Sequence, residues 1–125
     1  MKYVCIIIGG GIGAVLRYIS TQIIQTICTV SFPVGTFFVN SLGALLIGFL
    51  FNTFEQITAP AGLRLFVITG FLGGYTTFST YSLETVRYCM HGNLKQAFMN
   101  IALNNIVCML CVWLGIRISN LVIGD

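Results

Sequence analysis

The sequence predicts an all-α integral membrane protein of four transmembrane helices, with the third broken near its middle. Three observations predict this fold class. Of 125 residues, 57% are hydrophobic and 7% are charged, against about 25% charged in a typical soluble protein. Four apolar segments each reach the roughly 20 residues needed to cross a hydrocarbon layer about 30 Å thick. The third of them carries adjacent glycines, Gly73 and Gly74, in its interior, and Gly both weakens a helix and admits backbone angles that other residues avoid. Six basic and three acidic residues cannot coat a soluble domain of this size, so the surface is expected to face lipid.

The first segment runs from about Tyr3 to Ile27 and contains Arg17. Lys2 followed by an apolar run resembles a signal peptide. No small-residue cleavage site followed by a polar stretch appears, so the segment reads as a retained first helix. The second runs from about Val34, after Pro33, to Phe54. The third runs from about Leu63 to Tyr88 and the fourth from about Leu94 to Leu121. The connections SFP, EQITAPAG and MHGN are short, so residues 1–125 read as one four-helix transmembrane unit.

The charges then bear on topology. With four spans, Lys2, Arg64 and Arg117 fall on one side, and Arg87 and Lys95 on the other. Positive residues mark the cytoplasmic side, and here the bias is close to zero. Either orientation is therefore open, which points to a dual-topology protein assembling as an antiparallel homodimer. Four helices alone leave little room to enclose a polar path, and a two-fold homodimer is the commonest assembly. A net charge of +3, small and scattered, excludes nucleic acid as a partner.

Polar groups in hydrocarbon are costly and mark function. The densest cluster follows the paired glycines: Thr76, Thr77, Ser79, Thr80 and Ser82, with Tyr81 among them. A helix break there frees backbone groups that the protein or an ion must satisfy. In the second segment Thr36 and Asn40 lie one turn apart on one face, extended by Gly43 and Ala44. Asn40 suits either an ion path or an interhelical hydrogen bond. In the fourth, Asn100, Asn104, Cys108, Cys111 and Gly115 form a stripe at helical spacing that suits a path or an interface. Arg17 serves carbonyls at a helix break, attracts an anion, or snorkels to the interface; the first two together are favoured. Glu84, one turn beyond Thr80, faces an aqueous vestibule or the interface, and His91 falls in a loop.

The five cysteines are odd in number and four lie in or beside apolar runs, so no disulfide framework is expected. The spacing Cys108–Cys111 lacks a second pair and a nearby His, and reads as small core residues. No nucleophile, base and orienting group assemble, and no metal-ligand set is present, so an enzyme is not expected.

The segments GGGIGAVLRY (Gly9–Tyr18), GTFFVN (Gly35–Asn40) and GGYTTFSTYS (Gly73–Ser82) resemble, in order and placement, the signature segments of the CrcB/Fluc fluoride channels, and the resemblance covers nearly the whole chain. It implies an antiparallel, dual-topology homodimer in the cell membrane (the inner membrane if the source is Gram-negative), exporting fluoride passively through two pathways. It implies one structural sodium ion at the dimer centre, on the backbone carbonyls of Gly73 and Thr76 from both subunits. The pathway residues it implies are Asn40, Phe78, Ser79 and Thr80, with Thr36 alongside; Tyr81, Glu84 and Asn104 join them as candidates. Fluoride, membrane lipid and a second copy are the expected partners. Tyr81 departs from the pattern, which has Phe there, and Asn100 and Asn104 stand where the family often has Tyr and Ser. An altered conduction rate is the expected consequence of Tyr81. Two alternatives stand beside this reading. One is a non-conducting or partner subunit of a heteromeric fluoride channel. The other is a small multidrug-type exporter, which needs a membrane-embedded acid, typically in the first helix, where Arg17 stands instead.

Overall fold

A computed structural model describes residues 1–124, and all regular structure among them is helical. Helix α1 spans Lys2–Ile27 and α2 spans Val34–Gln56. Helix α3 covers residues 61–75: it opens as Ala61–Arg64, widens into π-type turns over Leu65–Leu72 and closes with Gly73–Tyr75. Helix α4 is Phe78–Met90. Helix α5 is Leu94–Ile123, with π-type turns at Leu103–Val107. The chain is a multi-pass membrane protein: α1, α2 and α5, of 26, 23 and 30 residues, are each long and apolar enough to cross a bilayer. The third expected segment is not one continuous helix but the pair α3 and α4, with Thr76 and Thr77 extended between them.

The glycines do not mark the interruption. Gly73 is helical (φ −60°, ψ −35°), and the backbone leaves the helix three residues later, at Thr76 (φ −86°, ψ 160°) and Thr77 (φ −148°, ψ 112°). Gly74 serves close approach instead: a Cβ there would lie 2.5 Å from the Gly10 carbonyl oxygen of α1. Extended angles suit β-branched Thr, so the two threonines, rather than the glycine pair, carry the break.

Without a hydrophobic force between helices in lipid, close backbone packing through small residues holds such bundles together. Helix α1 lies on α3 so closely that a Cβ on Gly13 would overlap the Phe71 carbonyl, and α2 lies on α5 so closely that one on Gly48 would overlap the carbonyl of Val112. The stripe Asn100, Asn104, Cys108, Cys111 and Gly115 turns inward, its members buried or half-buried. Large apolar side chains cover the outside, among them Ile7, Trp113 and Leu121. The accessible surface is 7738 Å², above the roughly 6,600 Å² of a compact soluble monomer of this mass.

Candidate functional site

The interruption leaves backbone groups that a continuous helix would have paired. Thr77 N–H, the partner an unbroken helix would give to the Gly73 carbonyl, donates instead to Asn40 Oδ1 at 2.8 Å. Asn40 Nδ2 in turn donates to the Thr77 carbonyl at 3.1 Å, so one carboxamide of α2 clasps both sides of the Thr77 residue. Its second N–H donates to Asn104 Oδ1 at 2.9 Å. The lone-pair and hydrogen inventory of Asn40 is thereby largely committed to protein.

Thr77 also starts α4. Its Oγ1 accepts from Thr80 N–H at 3.1 Å, a side-chain N-cap, and its hydroxyl donates to Thr80 Oγ1 at 2.9 Å. Ser79 Oγ lies 3.3 Å from Thr77 Oγ1. On the α3 side, Arg17 Nε of α1 donates to the Gly74 carbonyl at 3.0 Å. Thr76 N–H still reaches the Leu72 carbonyl at 3.1 Å, but the Thr76 carbonyl receives no hydrogen bond among the described residues.

A ladder of carboxamides leads away from the break. Asn104 Nδ2 donates to Asn100 Oδ1 at 2.9 Å, and Asn100 Nδ2 donates to Thr85 Oγ1 at 2.9 Å. Asn100 is fully buried and Asn104 nearly so. The wider turn at Leu103–Val107 reduces the angle between consecutive side chains, and both Asn104 and Asn105 face the same groove. Asn105 Nδ2 donates to Tyr81 Oη at 3.0 Å.

That groove has a volume of about 330 Å³ and runs beside the break. Asn40, Gly73, Thr76, Phe78, Tyr81 and Asn104 all line it, bringing together six of the candidate residues. The Phe78 and Tyr81 rings sit 5.3 Å apart and tilted by 60°. Phe78 is 77% exposed, whereas Tyr81 is 8% exposed, so this pair presents one free ring and one anchored ring. Ser79 is exposed and Thr80 half-buried on the first turn of α4, outside the groove lining.

Thr36 and Glu84 form a separate cluster. Thr36 Oγ1 donates to Glu84 Oε1 at 2.6 Å, while Oε2 is buried without a partner. A cavity of about 270 Å³ adjoins it, lined by Glu84, Arg87, Tyr88, His91 and Asn93. Glu84 thus opens onto a polar pocket near the end of α4, and His91, exposed in the loop, lines the same pocket.

The residue that sequence reasoning passed over is Thr77. It lies inside the hydroxyl run yet was not separated from its neighbours, although a Thr just before a helical run is a usable N-cap signal. Asn105, a third polar residue of the fourth segment, was left off the stripe of Asn100 and Asn104, because ideal helical spacing puts it on another face.

A family model described as "CrcB-like protein, Camphor Resistance (CrcB)" matches residues 4–116. This chain belongs to the CrcB family. Among its CrcB relatives, a protein named fluoride-specific ion channel FluC from Hydrogenobaculum sp. (strain Y04AAS1) is 46% identical, over 92% of this chain and 94% of the relative. Proteins of the same name from Sulfurovum sp. (strain NBC37-1) and Geobacter sp. (strain M21) are 43% and 39% identical, covering 93% and 88% of this chain and 91% and 90% of theirs. The three CrcB-like segments of the sequence meet at one place: Arg17 and Asn40 both hold backbone atoms of the GGYTTFSTYS stretch.

Proposed function

We propose that residues 1–125 form one subunit of a fluoride-specific channel that lets fluoride leave the cytoplasm down its gradient. The curated relatives carry that name at up to 46% identity over most of the chain. The observation that carries the reading is the extended Thr76–Thr77 backbone between α3 and α4, with hydroxyls and a largely free Phe ring following it.

The chemistry suits a small, strongly hydrated anion, which needs close donors to replace its water. Ser79 and Thr80 supply hydroxyl donors at the start of α4, where N–H groups lack intrahelical partners. Phe78 offers the positive edge of its aromatic quadrupole. Rigid close donors and a narrow path favour fluoride over chloride, which a merely positive wall would not do. With its N–H groups engaged by Thr77 and Asn104, Asn40 borders the pathway chiefly by holding the break open. Thr36 and Glu84 stand at the mouth.

The reading includes an antiparallel, dual-topology homodimer in which the interrupted third spans of two copies meet. Exposed Gly73, the half-buried Thr76 and the apolar groove beside them are the surface such a partner would cover. A sodium ion fits there. The Gly73 carbonyl has lost its helical N–H partner to Asn40, and the Thr76 carbonyl has none among the described residues. Two such oxygens from each of two copies form a hard, neutral donor set suited to a monovalent cation, which would balance the negative ends of the exposed carbonyl dipoles.

The test is flux from liposomes holding the purified chain, read with fluoride- and chloride-selective electrodes. Rapid fluoride release with chloride retained is expected. A protein that is folded and inserted but moves no fluoride, or moves both ions alike, would overturn the proposal.

A further inference from the structure

We infer that Tyr81 is an additional fluoride ligand in this chain, acting through its hydroxyl, and that Asn105 is the residue that positions it. This rests on the channel reading above and specifies one part of its pathway. Tyr81 Oη accepts a hydrogen bond from Asn105 Nδ2 at 3.0 Å, and both residues line the groove beside the break. A phenol has one O–H donor as well as its acceptor capacity. Because Asn105 is the donor in this contact, the Tyr81 hydrogen is not consumed by it. No acceptor for that hydrogen occurs among the described residues. The ring itself is fixed: 8% exposed, and tilted 60° against Phe78 at 5.3 Å. A buried, orientated O–H is thus left free beside the Phe78 ring, with its oxygen polarised by a neighbouring amide donor. Hydrogen bonds in series strengthen one another in a medium of low dielectric, so donation by Asn105 makes the phenol a better donor to an anion.

Asn105 reaches Tyr81 because of a local distortion. The π-type turns at Leu103–Val107 bring it to the groove together with Asn104. Asn104 serves the ladder to Asn40 and Asn100, while Asn105 serves Tyr81 alone across the helices and otherwise bonds back to the Ile101 carbonyl. The two adjacent carboxamides therefore do different work: one holds the break, the other aims a donor.

The experiment measures fluoride flux against fluoride concentration in liposomes for the wild-type chain, Tyr81→Phe, Asn105→Leu and the double variant, with size-exclusion profiles as the folding check. Tyr81→Phe keeps the ring and removes the hydroxyl. It is expected to raise the half-saturating fluoride concentration about fivefold, the change that corresponds to one hydrogen bond of ordinary net strength. Asn105→Leu is expected to move it in the same direction, and the double variant no further than Tyr81→Phe alone. An unchanged half-saturation in Tyr81→Phe overturns the ligand assignment, even if no Asn105 variant folds. An Asn105→Leu effect that persists at full size in the Tyr81→Phe background overturns the positioning assignment. Absence of flux in the wild-type chain would instead strike the channel reading itself.

Discussion

Asn40→Ala separates a residue that holds the break from one that binds the ion. In the structure its carboxamide accepts from Thr77 N–H at 2.8 Å, donates to the Thr77 carbonyl at 3.1 Å and donates to Asn104 at 2.9 Å. Thr77 is 7% exposed, so water cannot replace the lost partner. Each net hydrogen bond is worth about 1 kcal/mol, and a buried donor left unsatisfied costs about 1–3 kcal/mol. Losing the clasp is therefore expected to destabilise the fold by about 3 kcal/mol, more than most single substitutions do. The measurement is thermal unfolding in detergent followed by tryptophan fluorescence from Trp113, alongside flux from liposomes. A large fall in melting temperature together with loss of flux is the expected pair. Asn104→Ala, which leaves the Thr77 clasp intact, should fall less. If Asn40→Ala melts with the wild type yet conducts no fluoride, the reasoning fails, and the side chain acts on the ion.

Three further outcomes follow from the same geometry. Thr77→Val keeps the β-branched shape suited to extended backbone but removes the cap to Thr80 N–H; it should lower stability by about 1 kcal/mol, while Thr77→Ser should lie closer to wild type in the same melt. Arg17→Met removes the donor to the Gly74 carbonyl, a charge-assisted bond worth about 1.5–3 kcal/mol; Arg17→Lys should restore little, since a lysine lacks the Nε that makes the contact, and both are read by thermal melting in detergent. Gly13→Ala drives a methyl into the Phe71 carbonyl and should cost about 1–3 kcal/mol by forcing α1 off α3, with Gly11→Ala, whose Cβ meets nothing within 4 Å, as the neutral control.

The residue pattern carried some of this molecule further than the rest. Lipid exposure was legible because it is a property of composition: nine charged residues in 125 cannot solvate a surface, whatever the neighbours are. The helix limits were legible for a related reason, since Pro33, Pro60 and the MHGN loop stop helices through backbone chemistry that acts locally. The three family segments were legible because they recur as strings.

What only tertiary structure decided is where polar groups find their partners. The sequence suggested that Gly73 and Gly74 break the third span, because glycine is the weaker helix former. The helix instead runs through both and stops at Thr76 and Thr77. Glycine's permissiveness was used to admit a neighbouring backbone, and the break falls where a carboxamide on another helix, 37 residues away in the chain, accepts the Thr77 N–H. Asn105 illustrates the same limit from the other side: ideal spacing leaves it off the stripe, and a wider turn brings it to Tyr81. Composition and local backbone preference act residue by residue and survive in a string. A hydrogen bond between distant helices depends on how they are placed side by side, and that is fixed by packing rather than by any one segment.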